Sequence, residues 1–207
     1  MSLVSLRRMP ANFAATIHWN MPGTELFGEE EKKEVMDVLN TGVLFRFNHD
    51  AQRQGHWKAK DFEAEVAKFC GAKYGLAVSS GSTAVNTMLA ACGVGYGDEV
   101  IVPPFTYIAT IEAVLLAGAL PVFAEIDDTL CMSAEGIRAV ISPRTKAVLL
   151  VHMCGAAADL DGIMAVCKEK NIQLIEDSAQ ALGGSFKGRM LGTFGRMGSF
   201  SYDFFKI

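Results

Sequence analysis

The chain has 207 residues with a formal net charge of −4, and 50% of it is hydrophobic against 20% charged. That is enough chain for one substantial core and part of a second domain. No basic block marks a nucleic-acid surface, and the longest apolar run, AVLLAGALPVFA at 113–124, is too short to cross a bilayer and contains Pro121. The N-terminal stretch carries two arginines but no compact apolar run leading to a small-residue cleavage site, so no signal peptide is read. Cys70, Cys92, Cys131, Cys154 and Cys167 form no C-x-x-C pair. They read as buried free thiols of a reducing compartment, and a cytoplasmic protein is expected.

The elements follow in a readable order. Residues 28–42 (GEEEKKEVMDVLNTG) read as an amphipathic helix with acids in its first turn and a glycine stop. Residues 44–60 carry His49, His56, Trp57 and several bases without pattern, and read as a long loop of the kind that is often functional. DFEAEVAKFCGA is a second helix in which Phe62, Val66 and Phe69 are spaced to share one face. Residues 75–80 (GLAVSS) read as a strand, and STAVNTMLAACG as the helix after it. EVIVP, PVFAEI, TKAVLLVH and IQLIED are further strands. Between them TYIATIEAVLLAGA, SAEGIRAVI and DLDGIMAVCKEKN are helices. Strands that alternate with helices pair in parallel, since a parallel connection needs a crossover. Continuous apolar strands fit a sheet covered on both faces. The expected fold is therefore α/β, a doubly wound, mostly parallel sheet, with its ligands beyond the carboxyl ends of the strands.

Five features stand at those ends. SSGSTAV follows a strand and opens a helix, which leaves free amides and a positive dipole end suited to a phosphate. Taken alone, the motif reads first as an ordinary cap by Ser80 or Ser82, and no G-K-[ST] follows to make it a Walker loop. GVGYGD precedes a strand and has the wrong spacing for a nucleotide loop, so it is a turn. Glu176 and Asp177 end a strand, where an acid can cap a helix, bind a metal or face a cationic ring nitrogen; no histidine–carboxylate cluster accompanies them. Tyr107 can stack on a flat ligand or pack in the core. Lys206 stands among Phe204, Phe205 and Ile207. Apolar surroundings of that kind would lower its pKa and free a neutral amine for a Schiff base, whereas an edge lysine would snorkel past them. His152, at another strand end, reads as a structural hydrogen-bonder. A phosphate cradle, a stacking aromatic, an acid and an imine-forming lysine are together what pyridoxal 5'-phosphate (PLP) requires of a protein.

These segments resemble the DegT/DnrJ/StrS sugar aminotransferases. DFEAEVAKFCGAKYGLAVSSGSTAV, GDEVIVPPFTYIAT, GALPVFAEID, PRTKAVLLVHMCG, LIEDSAQALGGSFKGRMLGTFG and GSFSYDFFK occur in the family's order. The resemblance implies an aspartate-aminotransferase-like fold, with residues 1–27 as an N-terminal segment and 28–207 as the PLP-binding large domain. That domain would be incomplete at its C-terminal end, with the small C-terminal domain absent, because family members continue past the lysine. It implies that Lys206 forms the imine with PLP and that Asp177 pairs with the pyridinium nitrogen. Gln180 would lie near the ring hydroxyl, Tyr107 would stack on the ring, and Gly81, Ser82 and Ser201 would bind the phosphate. The implied reaction is transamination from an amino acid, glutamate or glutamine, to a keto-sugar, nucleotide-linked or less often a cyclitol, in a homodimer. The alternative is a non-catalytic remnant that binds PLP or a sugar nucleotide, or pairs with a full-length partner. YDFF replaces the family's more usual residues before the lysine, which bears on the pocket wall and on substrate preference.

Overall fold

The apolar runs become strands, and the segments between them become helices long enough to return the chain over the sheet. Residues 27–203, 205 and 206 are described by the structure, a computed structural model. The readings that rest on the N-terminal stretch, Phe204 and Ile207 lie outside them. In chain order the helices are α1 (Glu29–Thr41), α2 (Asp50–Arg53), α3 (Lys58–Cys70), α4 (Gly81–Ala91), α5 (Ile108–Leu116), α6 (Ala134–Val140) and α7 (Leu160–Lys170). The strands are β1 (Glu99–Val102), β2 (Leu120–Phe123), β3 (Thr145–Val151), β4 (Gln173–Asp177), the two-residue hairpin β5 (Ser185–Phe186) and β6 (Arg189–Met190), and β7 (Met197–Ser199). The main sheet runs β2-β1-β3-β4-β7, all parallel. The order reverses after β2, so the sheet is doubly wound as expected, with its switch point between β1 and β3.

Alternation along the strands divides the core into two layers. Val100, Val102, Ala147, Leu149 and Ile175 pack with α4 and α5 residues such as Leu89 and Val114. Ile101, Val148, Leu150 and Leu174 pack on the opposite face with Ile137, Leu160, Ile163 and Val166 of α6 and α7. Each fully buried aliphatic side chain contributes about 1.5–3 kcal/mol. Helix starts are fixed by side-chain caps worth about 1 kcal/mol each. Ser80 accepts from Thr83 N at 3.1 Å, Ser133 from Gly136 N at 2.9 Å and Asp159 from Gly162 N at 3.3 Å.

Four expectations are corrected. Residues 75–80 are not a strand: among the described residues no ladder runs along them, and Leu76 and Val78 are exposed. An apolar run becomes a strand only when another strand offers it amides and carbonyls. Helix α3 forms, but its buried face is Glu63, Ala67 and Cys70, while Phe62 and Phe69 are exposed. The backbones of α3 and the 75–78 segment touch, since a Cβ on Gly75 would lie 2.5 Å from the Glu63 carbonyl oxygen. The Glu63 carboxylate accepts from Ala77 N at 2.7 Å and from Arg46 at 2.5 Å. Residues 44–60 are not one long loop, because they contain α2 and the first turn of α3. The buried Arg53 guanidinium gathers that stretch by donating to the carbonyls of Phe45, Phe47 and Asn48 and lying 4.1 Å from the centroid of the Trp57 ring. Of the five thiols, Cys154 is exposed and the other four are buried, with burial pushing Cys167 up to about 11.

Candidate active site

A cleft of about 1560 Å³ opens beyond the carboxyl ends of the strands, where Gly81, Ser82, Tyr107, Asp177, Gln180, Ser201 and Lys206 all line it. All seven residues singled out in the sequence thus share one hollow.

Helix α4 enters this hollow with its N-terminus. Its first-turn amides have no partner within the helix, and Ser80 takes only that of Thr83. Gly81 brings this end against the segment after β7: a Cβ there would meet Ser201 Cβ at 3.0 Å and Ser201 Oγ at 3.3 Å. Ser201 itself is buried, and its hydroxyl accepts from Asp203 N at 3.3 Å. Two hydroxyl-bearing turns and a helix dipole therefore meet at one spot, an arrangement fitted to an anion.

Asp177 ends β4 on the α5 side of the sheet and is 6% exposed. One carboxylate oxygen accepts from Thr110 Oγ1 at 2.8 Å and the other from Ala179 N at 3.1 Å. Burial pushes its pKa up from the usual carboxylate range. The Thr110 hydroxyl, the Ala179 amide and the charges of Lys206 and His152 act in the opposite direction. A carboxylate so desolvated gains most from a cation delivered into the cleft. Thr110, fully buried and bridged to Thr106 at 3.0 Å, is a site residue that the sequence reading missed. A lone hydroxyl in the first turn of a mostly apolar helix at a strand end was the available signal.

Tyr107 precedes α5 and is exposed, and the Lys206 Nζ lies 5.1 Å from its ring centroid. Lys206 is partly buried and Phe205 beside it is exposed, while the expected apolar wall from Phe204 and Ile207 lies outside the described residues. The turn that carries it is closed by Lys206 N donating to Asp203 O at 2.8 Å. Its charge nevertheless acts on Asp177 across the cleft. The Gln180 side-chain oxygen accepts from Cys154 N at 2.9 Å, which leaves its amide nitrogen to donate into the cleft.

A doubly wound parallel sheet whose strand ends bring an amine, a buried acid and the N-terminus of a helix to one cleft is an α/β fold with its hollow at the ligand-binding end. The chain belongs to the DegT/DnrJ/EryC1/StrS aminotransferase family, whose pattern matches residues 26–207. The cofactor of that family is pyridoxal 5'-phosphate. The chain is 47% identical over 146 residues to a UDP-N-acetyl-3-dehydro-alpha-D-glucosamine 3-aminotransferase of Acidithiobacillus ferrooxidans, covering 70% of this chain and 40% of the relative. It is 43% identical over 173 residues to a GDP-perosamine synthase of Vibrio cholerae, covering 83% and 45%. Its fold is similar to the X-ray structure of an aminotransferase from Psychrobacter cryohalolentis, with a TM-score of 0.78 at 37% identity over 87% of this chain and 44% of that one. The chain therefore spans less than half the length of these relatives. No helix among the described residues is long and apolar enough to cross a membrane.

Proposed function

We propose that the protein is a PLP-dependent aminotransferase that moves an amino group from an amino acid, glutamate or glutamine, to a keto-sugar carried on a nucleotide, working as a homodimer. In this reading residues 28–207 are its cofactor-binding large domain and residues 1–27 a lead-in. The observation that carries the reading is the cleft itself, which Lys206 and the buried Asp177 carboxylate both line and where Gly81 packs against Ser201. The residues present fit the cofactor. Gly81 lets the start of α4 approach Ser201 more closely than a side chain would allow, so that the helix amides and the Ser201 hydroxyl come together, and the desolvated Asp177 suits a protonated ring nitrogen. The nucleotide-linked sugars in the names of the UDP- and GDP-linked relatives support a nucleotide-linked sugar here.

When bound, PLP supplies a reactive carbonyl and a ring that draws electrons from the substrate carbon. Lys206 would hold the cofactor through its Nζ amine, and the same amine, when free, would serve as the base and acid that moves a proton at the substrate carbon. Asp177 would face the ring nitrogen and keep it protonated, with its carboxylate held in place by Thr110 and Ala179 N. Tyr107 would cover a ring face, and the Gln180 amide would donate to the ring hydroxyl. The amides of Gly81 and Ser82, with the Ser82 and Ser201 hydroxyls, would hold the phosphate at the start of α4.

The test is amino transfer from glutamate or glutamine to UDP- and GDP-linked keto-sugars by the protein in its natural length, alongside borohydride trapping of PLP on Lys206. Product together with a trapped Lys206 is expected. A trapped Lys206 without transfer to any acceptor would leave a cofactor-binding protein that is not this enzyme. The cradle gives a separate prediction. Gly81→Ala puts a methyl at 3.0 Å from Ser201 Cβ, so spectroscopic titration should show PLP binding weakened by about tenfold, the cost of roughly 1.4 kcal/mol. Thermal melting of the ligand-free protein should fall far less, because alanine is the better helix former.

A further inference from the structure

Glu176 is fully buried one residue before Asp177, and the function proposed above does not use it. Adjacent residues of a strand point to opposite faces. Asp177 therefore faces α5, and Glu176 faces the loop that joins β6 to β7. Its carboxylate accepts four hydrogen bonds there: from Gly192 N at 2.9 Å, from Phe194 N and Gly195 N at 2.6 Å each, and from the His152 ring at 3.0 Å. His152 is equally buried at the end of β3.

Fold stability does not explain this choice. A buried charge is costly even when well paired, and an apolar replacement of similar shape is often neutral or better. What the carboxylate does that no apolar group can is collect amides. The loop at 191–196 lies outside the sheet, and the amides of Gly192, Phe194 and Gly195 find their acceptors on Glu176. Every buried backbone donor needs such a partner.

The loop is also the bed on which β7 rests. A Cβ on Gly198 would lie 2.1 Å from the Gly192 carbonyl oxygen, so the two backbones are in direct contact. Gly192, at φ +85°, leaves space that the Phe200 ring tip and the Ser178 hydroxyl fill, at 2.6 and 3.0 Å from where its Cβ would stand. β7 is three residues long and pairs with β4 alone among the described strands. A clamp on the loop therefore fixes β7, then Phe200, then Ser201 against Gly81, and the turn that carries Lys206 follows.

We propose that Glu176, held by His152, is a positioning residue that sets the phosphate-side segment 199–203 and Lys206 against Asp177 by gathering the amides of the 192–195 loop. This deepens the cofactor reading given above and rests on it. One strand end then registers both sides of the site: Asp177 directly on the α5 face, and Glu176 through the loop on the other.

The test uses the natural-length protein with PLP and the variants Glu176→Gln, His152→Leu and His152→Gln. Glu176→Gln turns one acceptor into a donor facing amides. His152→Leu removes the ring's hydrogen bond, and His152→Gln restores a donor at about the same reach. Glu176→Gln and His152→Leu are expected to weaken PLP by about tenfold or more, as loss of a supporting partner typically does. They should alter the visible circular dichroism of the bound cofactor, which reports its orientation, while Lys206 remains trappable by borohydride. Hydrogen exchange should quicken at Gly192, Phe194 and Gly195 but not in β1 or β3. His152→Gln should regain most of the wild-type affinity and dichroism. Unchanged affinity and dichroism in Glu176→Gln and His152→Leu overturn the proposal. If Glu176→Gln does not fold, the two His152 variants decide, and equal behaviour of Leu and Gln overturns it. Failure of the wild-type protein to form any trapped adduct sinks the cofactor reading instead and is told apart by that control.

Discussion

Lys206→Ala abolishes the borohydride-stable PLP adduct and lowers amino transfer by at least about 10²–10⁴-fold, the usual worth of a positioned acid–base group. Two measurements check it: the mass of the peptide containing residue 206 after reduction, and the rate of keto-sugar amination. Lys206→Arg separates charge from chemistry. Lys206 lies 5.1 Å from the Tyr107 ring centroid and acts on Asp177 through its charge, and arginine keeps a cation in that place. A guanidinium stays charged and does not condense with a carbonyl. The arginine variant should therefore match the wild type in ligand-free stability while giving neither adduct nor product. The lysine sits in a partly open turn, so neither substitution disturbs the core, and a loss of activity does not trace to unfolding. An arginine variant that retained transfer would remove the imine from the mechanism.

What the sequence conveyed depended on how many neighbours an element needs. β1, β3 and β4 were legible as unbroken apolar runs because both of their faces are buried, and their order with the helices yielded the doubly wound sheet. Residues 75–80 have the same composition, but a strand exists only through its partner, which a local reading does not see. β7, with the sequence MGS, is too short and too glycine-bearing to show any period. On α3 the phenylalanines drew attention to the wrong face. Glu63 is the buried residue because Arg46 and the Ala77 amide satisfy its carboxylate, and sequence spacing carries no sign of either. At the site, the residues with distinctive chemistry were legible, helped by the order of whole segments that resemble a known family. Of the residues that hold them, His152 read as a structural hydrogen-bonder and Glu176 as a strand-end acid, but their partners, and Thr110 altogether, were not legible. Thr110 sits in an apolar helix, and Glu176 and His152 lie at the ends of apolar strands. One polar residue in each makes no pattern, and their roles appear only when β3, β4 and the 192–195 loop are brought together.

The second large effect combines loss of activity with gain of stability. Asp177→Asn should lower amino transfer by roughly thirty- to several-thousand-fold, since removing one member of a buried hydrogen-bonded charge pair costs about 2–5 kcal/mol. The ligand-free protein should melt at a higher temperature as the variant. Burial is the largest influence on Asp177 and raises its folded pKa above the ordinary 3.8. As pH rises past that value the unfolded chain gives up its proton first, while the folded chain is still holding it. Unfolding is therefore favoured increasingly with pH until the folded group also ionises, after which the penalty is constant. This contribution to stability is fully present below the unfolded pKa and lost above it, the reverse of a salt-bridged aspartate. Asparagine does not titrate, can accept from Ala179 N with its oxygen and can donate to Thr110 Oγ1 with its nitrogen. The melting temperatures of the two ligand-free proteins should thus draw together in acid and separate as pH rises through the window above 3.8, with the asparagine protein higher at neutral pH. Saturating PLP should reverse or narrow that gap, because a ring cation facing residue 177 stabilises the carboxylate and not the amide. An asparagine variant less stable at every pH would mean that Thr110 and Ala179 N already compensate the charge. The idea that Asp177 is held desolvated in readiness for a cation would then fail.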